Sequence, residues 1–127
     1  AIGAWTNKQK IVTKSSTEAE LVALSDGLPP VLWAREFMLS QGYAMAATPI
    51  AQDNQGVLAI LDKGRHSKQR TRHMNIRYFF IRDRVRSGEV LLHYTATSDM
   101  VADVLTKPTN GIQFKKLRGL LLGIACY

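Results

Sequence analysis

The spacing of hydrophobic residues along the chain predicts alternating helices and strands. One helical stripe is formed by apolar residues at i, i+4, i+7 and i+11: Met74, Tyr78, Ile81 and Val85. Short apolar runs at 48–53 and 89–94 are typical of buried strands, and a helix is expected between them at 55–61. Two further helices follow, a short one carrying Asp103 and a last one with an apolar face made of Phe114, Leu117, Leu121 and Ile124. This order predicts an α/β layer fold with a mixed sheet.

The start of the chain has the pattern of a strand pair that is cut short. In residues 1–14, apolar residues flank a polar turn at Asn7-Lys8, which fits a hairpin return or the last residues of a strand. An opening this abrupt predicts that the chain begins inside a larger sheet.

The first helix has a recognisable start and an unusual interior. Thr17 and Glu20 have capping-box spacing, and Ser16 is a competing cap. The stretch Gly27-Leu28-Pro29-Pro30 predicts an interruption, because proline lacks the N–H donor and clashes with the preceding turn. Helix is expected again beyond the prolines, as far as Gly42.

Length and composition are those of one globular domain, 1–127. The chain is 46% hydrophobic and 21% charged, enough to bury a core that is expected to include Trp5, Trp33 and Tyr78. No apolar run is long enough to cross a bilayer, and no signal segment is expected. The single cysteine, Cys126, excludes an internal disulfide and a cysteine-rich zinc site. The sequence therefore predicts an intracellular protein, cytoplasmic or nuclear, with no membrane partner.

Positive charge is concentrated in one segment of the chain. The formal net charge is +7, and residues 63–86 hold nine basic side chains opposed only by Asp83: Lys63, Arg65, Lys68, Arg70, Arg72, Arg77, Arg82, Arg84 and Arg86. A localised basic surface favours binding to a polyanion such as nucleic acid, and arginine suits planar phosphate contacts. The alternative is a solvated, charged helix face.

Three acidic residues stand in settings that suit a metal site. Glu20 lies on the apolar-rich side of the first helix, Asp53 ends an apolar strand, and Asp103 has apolar neighbours in a short helix. Carboxylates from separate elements, beside a basic surface, suit the binding of Mg²⁺ over a phosphodiester. Each also has a structural alternative: a capping-box acid for Glu20, a helix N-cap or turn residue for Asp53, and a surface ion pair with Lys107 for Asp103.

Five stretches of the chain match one family in order and spacing. They are K-Q-K-I-V-T-K-S-S-T-E-A-E-L-V-A-L at 8–24, Leu32-Trp33, Asp53-Asn54-Gln55, the basic stretch 66–86 with T-R-H-M-N-I-R-Y-F-F-I-R-D-R-V, and A-D-V-L-T-K-P at 102–108. In these stretches the chain resembles the ribonuclease H domain at the C-terminal end of copia-type LTR retrotransposon Pol polyproteins.

The resemblance implies a ribonuclease H-like fold, a mixed sheet flanked by helices, and hydrolysis of the RNA strand in RNA–DNA hybrids by a two-magnesium mechanism. Mn²⁺ is an expected substitute for Mg²⁺. By motif matching, Glu20, Asp53 and Asp103 are the implied catalytic and metal-binding residues. Gln55 matches a residue that contacts substrate in the family. Further candidate nucleic-acid contacts come from the basic segment: Lys68, Arg70, Arg72 and His73, with helix capping as the alternative role of His73.

One part of the family pattern is missing. The family's domain begins with a strand that carries the first catalytic aspartate, whereas residues 1–17 contain no acid. The first strands are therefore expected to be absent, which predicts a truncated domain with weak or no activity. Exposed sheet edges would then pair with another copy or a partner chain. Three hypotheses follow: a ribonuclease H-type nuclease, a non-catalytic remnant that binds nucleic acid or protein, and a subunit that completes its sheet in trans.

Overall fold

The structure is a computed structural model that describes residues 1, 3–4, 6–63 and 72–124. The predictions made for Trp5, Lys68, Arg70 and Cys126 concern residues outside these ranges. The chain divides into two compact units, Ile11–Tyr94 and a second unit made of Ala1–Lys10 with Thr95–Tyr127. No helix of the described ranges combines the length and the apolar character that crossing a membrane requires.

The described residues of the unit Ile11–Tyr94 form three helices and two strands. In chain order they are α1 (Ser16–Ser40), β1 (Thr48–Gln52), α2 (Gln55–Lys63), α3 (Arg72–Arg86) and β2 (Val90–Tyr94). Its core is one cluster of buried side chains from all three helices and β2: Leu21, Val22, Leu28, Val57, Met74, Tyr78, Ile81 and Val90. The predicted stripe of α3 is confirmed, because three of its four residues are in this cluster and Val85 packs against it.

β1 and β2 form a parallel pair, with Thr48 opposite Val90 and Gln52 opposite Tyr94. Parallel strands cannot be joined by a tight turn, so the chain crosses between them through α2 and α3. The predicted α/β class and both predicted strands are confirmed. The predicted burial is wrong, because most residues of β1 and β2 are half-buried or exposed. The predicted mixed sheet is not found in the described residues. Their sheet has two strands, and these run parallel to each other.

The strand pair predicted in residues 1–14 does not form in the described part of that segment. The prediction was wrong because a stable strand needs a neighbouring strand to pair its backbone groups and needs a buried face. A pattern of apolar residues does not by itself provide either. Val12, one of the apolar residues behind the prediction, is 95% exposed. Ile11, its neighbour, packs against the core of the larger unit without strand pairing.

The predicted interruption of α1 is also wrong, because one helix runs through Pro29 and Pro30. Both prolines are exposed, so their rings do not disturb the packing of the helix against the core. Buried Leu28 and partly buried Leu32 anchor the helix to the core just before and just after the prolines. Packing on both sides of the break therefore outweighs the local cost of proline.

The aromatic residues divide between core and surface. Tyr78 is buried as predicted. Trp33 is 70% exposed, so its prediction as a core residue is wrong. Its ring stacks on Phe37 one turn along α1, with centroids 5.8 Å apart. Successive helical residues are about 100° apart around the axis, so with Leu32 turned to the core Trp33 faces solvent.

The regular secondary structure of the second unit, in its described part, is helical and lies beyond Thr95. A short 3₁₀ helix (Thr97–Asp99) is followed by α4 (Asp103–Thr106) and α5 (Gly111–Leu122). Both predicted α-helices are confirmed, and Leu117 of the expected apolar face is fully buried. Phe114 and Ile124 of that face are exposed instead.

An ion pair ties the 3₁₀ helix to α5 within this second unit. Lys116 Nζ donates to Asp99 Oδ1 at 2.6 Å. This hydrogen bond, together with the positive charge of Lys116, holds the pKa of the Asp99 carboxyl below its ordinary value.

Replacing either proline of α1 by alanine should stabilise the chain. The substitutions Pro29→Ala and Pro30→Ala each restore an N–H donor to the helix. Alanine also gives the unfolded chain more conformational freedom, which offsets part of the gain. We expect a net rise of about 1–2 kcal/mol in the free energy of unfolding. Urea unfolding followed by circular dichroism measures the change. Pro108→Ala, outside any helix, is the matched control and should give no gain. A loss of stability in both helix variants would contradict a continuous α1.

Candidate functional site

An open pocket of about 470 Å³ lies where β1 and β2 end. It is lined by residues of α1, of the β1–α2 junction and of the last position of β2: Ser16, Glu20, Asp53, Asn54, Gln55, Gly56 and Tyr94. The carboxyl ends of parallel strands meet at one edge of a sheet, and such edges commonly hold the binding sites of α/β proteins. Two of the three predicted carboxylates, Glu20 and Asp53, therefore share one pocket within the unit Ile11–Tyr94.

Asp53 reaches the pocket because its neighbour caps the next helix. Asn54 Oδ1 accepts hydrogen bonds from the backbone N–H groups of Gly56, at 2.9 Å, and Val57, at 3.3 Å. The buried side chain of Gln52 fixes the turn, since its Oε1 accepts from the Asn54 N–H at 2.9 Å. The alternative role of Asp53 as the N-cap of α2 is therefore wrong.

The cap of α1 lies earlier in the chain than the sequence predicted. The N-cap is Ser15, whose Oγ accepts from the Glu18 N–H at 3.2 Å. Glu18 Oε2 in turn accepts from the Lys14 N–H at 2.8 Å. Ser15 and Glu18 also have the spacing of a capping box, one that the prediction of a cap at Thr17 or Ser16 overlooked.

The first turns of α1 and α2 are in close contact beside the pocket. A Cβ atom added to Gly56 would lie 3.2 Å from Thr17 Oγ1 and 3.3 Å from Thr17 Cγ2. The bare glycine backbone thus lies against the first turn of α1, where Ser16 lines the pocket and Glu20 follows one turn later. Each helix N-terminus carries a partial positive charge, which favours carboxylates and other anions at this place.

The donor chemistry of the pocket suits a hard cation. Carboxylate and amide oxygens are the ligands that Mg²⁺ takes from proteins, and Mg²⁺ commonly uses one or two carboxylates and completes its shell with water and substrate phosphate. Glu20 and Asp53 fit that pattern as a pair. Across the described residues, no group of three or more His, Cys, Asp or Glu side chains is placed to hold a metal ion.

Asp103 belongs to the second unit, where it is the first residue of α4. It is buried, with 7% of its surface exposed, and its Oδ2 accepts from Lys107 Nζ at 2.9 Å. The ion pair considered as the alternative is therefore present, although Asp103 is buried rather than on the surface. Its assignment as a metal ligand together with Glu20 and Asp53 stays a prediction.

The arginines of α3 do not all present free charge to solvent. Arg77 is hydrogen-bonded to Asp26 on α1, and Arg84 pairs with Glu89 at 3.0 Å. Arg82 donates to the Tyr78 hydroxyl at 3.3 Å and lies over the same ring. The Arg77 and Arg84 contacts join α3 to α1 and to the residue before β2, whereas the Arg82 contacts lie within α3. Part of the basic segment therefore contributes to the fold.

The predicted nucleic-acid contacts that are described lie at helix starts. Gln55, the first residue of α2, lines the pocket. Arg72 and His73 are exposed at the start of α3. Tyr94 also lines the pocket, although it was not predicted from the sequence. The signal in the sequence is that Tyr94 ends the second apolar run, and in the structure it lies opposite Gln52 at the end of β1.

The homologues of this chain are retrotransposon Pol polyproteins. The chain is 32% identical over 115 residues to the retrovirus-related Pol polyprotein from transposon RE2 of Arabidopsis thaliana, covering 88% of the chain and 8% of that protein. It is 31% identical over 121 residues to the retrovirus-related Pol polyprotein from transposon TNT 1-94 of Nicotiana tabacum, and the match covers 92% of the chain and 9% of that protein. It is 26% identical over 116 residues to the Transposon Ty1-NL2 Gag-Pol polyprotein of Saccharomyces cerevisiae, and the match covers 91% of the chain and 7% of that protein.

These similarities confirm the retrotransposon Pol part of the resemblance seen in the sequence. The chain spans less than a tenth of the length of each of these relatives. No protein-family model matches the chain, and no solved structure matches it significantly.

Removing the cap of α1 should destabilise the chain, whereas the same change one residue later should not. We expect Ser15→Ala to lower the free energy of unfolding by about 1 kcal/mol, because the Glu18 N–H loses its acceptor. Ser16→Ala also removes a serine hydroxyl, at the adjacent exposed position, and should change the free energy of unfolding by less than about 0.5 kcal/mol. Urea unfolding of both variants tests the assignment, and equal effects would contradict it.

Proposed function

We propose that the chain is a ribonuclease H-type domain of a copia-type retrotransposon Pol polyprotein. In this proposal it has a ribonuclease H-like fold and hydrolyses the RNA strand of RNA–DNA hybrids at the pocket that contains Glu20 and Asp53. The observation that carries the proposal is the meeting of these carboxylates, from α1 and from the β1–α2 junction, at the carboxyl edge of a parallel strand pair. The homology to retrotransposon Pol polyproteins supports it.

Glu20 and Asp53 would hold Mg²⁺, or Mn²⁺ in its place, and Asp103 is proposed as a further ligand. When bound, the cation supplies activation of water and stabilisation of charge on the phosphate. The capping by Asn54 and the hydrogen bond from its N–H to Gln52 keep the backbone of the β1–α2 turn in place. The Asp53 carboxylate therefore has a defined starting position for the reaction.

Substrate would be held by groups at the rim of the pocket. Gln55 lines the pocket at the start of α2 and is proposed to contact the hybrid there. Arg72 and His73, exposed at the start of α3, are proposed to contact phosphates, together with Lys68 and Arg70 of the preceding segment. Recognition would rest on the shape of the hybrid and on 2′-hydroxyl groups, so little base specificity is expected.

The binding of Mn²⁺ tests the role of the two carboxylates directly, whatever the rate of cleavage. We expect Glu20→Gln and Asp53→Asn each to weaken Mn²⁺ binding by about tenfold or more, because the affinity for hard cations follows ligand charge. Electron paramagnetic resonance of free Mn²⁺ measures the binding. Asp83→Asn, an exposed acid on α3, is the matched control and should bind Mn²⁺ like the unaltered chain.

Hydrolysis of an end-labelled RNA–DNA hybrid tests the activity. Since residues 1–17 supply no acid to the site, we expect at most weak Mg²⁺-dependent cleavage of the RNA strand. That cleavage should fall by about 100-fold or more in either variant, because a preorganised electrostatic contact to the reacting phosphate is lost. Cleavage that survives both substitutions would contradict the proposal. Hybrid binding that survives them without any cleavage, and that weakens steeply with salt, would favour the non-catalytic nucleic-acid-binding alternative.

A further inference from the structure

The unit Ile11–Tyr94 has a second pocket, of about 400 Å³, which we term the edge pocket. α2 contributes Leu58 and Leu61 to its wall, and β2 contributes Leu91 and Leu92. α3 contributes Val85, which packs against the core. The edge pocket shares no lining residue with the pocket of Glu20 and Asp53. Its apolar wall is large enough for a side chain of leucine size.

The edge pocket runs along the outer edge of β2. Consecutive strand residues point to opposite faces of a sheet, so a pocket lined by both Leu91 and Leu92 follows the strand edge. Its lining contains no residue of β1, the strand on the other side of β2. Within the described residues β2 pairs with β1 alone, so the backbone groups of the outer edge have no strand partner. Such an edge can accept an additional strand.

Charge at the mouth of the edge pocket favours an acidic ligand. Arg82 and Arg86 stand one turn apart on α3 and both line the pocket, whereas Asp62 is the acidic residue among the described lining residues. Arg82 also holds the Tyr78 hydroxyl, which keeps its guanidinium group near the pocket wall. The basic side chains outnumber the acid, so a carboxylate is attracted to the same mouth that admits an apolar group.

We propose that the edge pocket binds an extended acidic peptide segment, which adds as a strand to the outer edge of β2. Residues i and i+2 of a strand share a face, so the segment would place an apolar side chain between Leu58, Leu61 and Leu92 and a carboxylate two residues later near Arg86. Backbone hydrogen bonds to β2 provide the docking, and the apolar–acidic spacing provides the specificity.

The probe for this site is the N-acetylated, C-terminally amidated peptide Thr-Leu-Thr-Glu-Thr, compared with the same peptide carrying lysine in place of glutamate. Nuclear magnetic resonance titration of the full chain should show shifts of the Leu58, Leu61 and Leu92 methyl groups. The amide protons of β2 should exchange more slowly with solvent. We expect the glutamate peptide to bind about tenfold more tightly than the lysine peptide, because the latter meets like charge.

Substitutions in the protein distinguish recognition of the peptide's charge from non-specific binding. Arg86→Gln should weaken binding of the glutamate peptide about fivefold, the size of a partly exposed ion pair. Arg118→Gln, a matched change of an exposed arginine on α5, should leave binding unaltered. Equal binding of the two peptides, an absence of shifts at the three leucines, or shifts without slower exchange in β2 would each overturn the proposal.

Discussion

The parallel pairing of β1 with β2 is the constraint on which the rest of the larger unit depends. Parallel strands require a long crossover, and here α2 and α3 provide it and deliver the buried residues Val57, Met74, Tyr78 and Ile81. The same pairing puts the ends of both strands at one edge, with Gln52 opposite Tyr94. Core formation and the location of the candidate site therefore follow from one pattern of hydrogen bonds.

Capping decides which acids are available to that site. The first turn of each helix leaves N–H groups without partners, and one nearby polar side chain usually satisfies them. Ser15 does so for the Glu18 N–H of α1, and Asn54 does so for α2. Since these residues take the capping role, Glu20 and Asp53 lie in the pocket rather than at the caps, next to helix ends whose partial positive charge favours anions.

The basic segment serves more than one purpose. Arg77 and Arg84 join α3 to Asp26 and Glu89, so charge that the sequence attributes to a binding surface also contributes to packing. Arg82 and Arg86 line the edge pocket, at a different place from the pocket of the two carboxylates. The arginines of one helix thus face two different environments, which a count of charges does not reveal.

The sequence by itself determined the elements of 48–94, because a strong 3.6-residue stripe and two bounded apolar runs leave one arrangement that buries them. It also determined that Glu20 and Asp53 stand out, through a match of motifs. Tertiary structure alone decided that α1 continues through Pro29 and Pro30 and that Trp33 is exposed. Local propensity has a limited energy, whereas burial of a long helix face sums over many side chains, and which face is buried depends on partners distant in the chain.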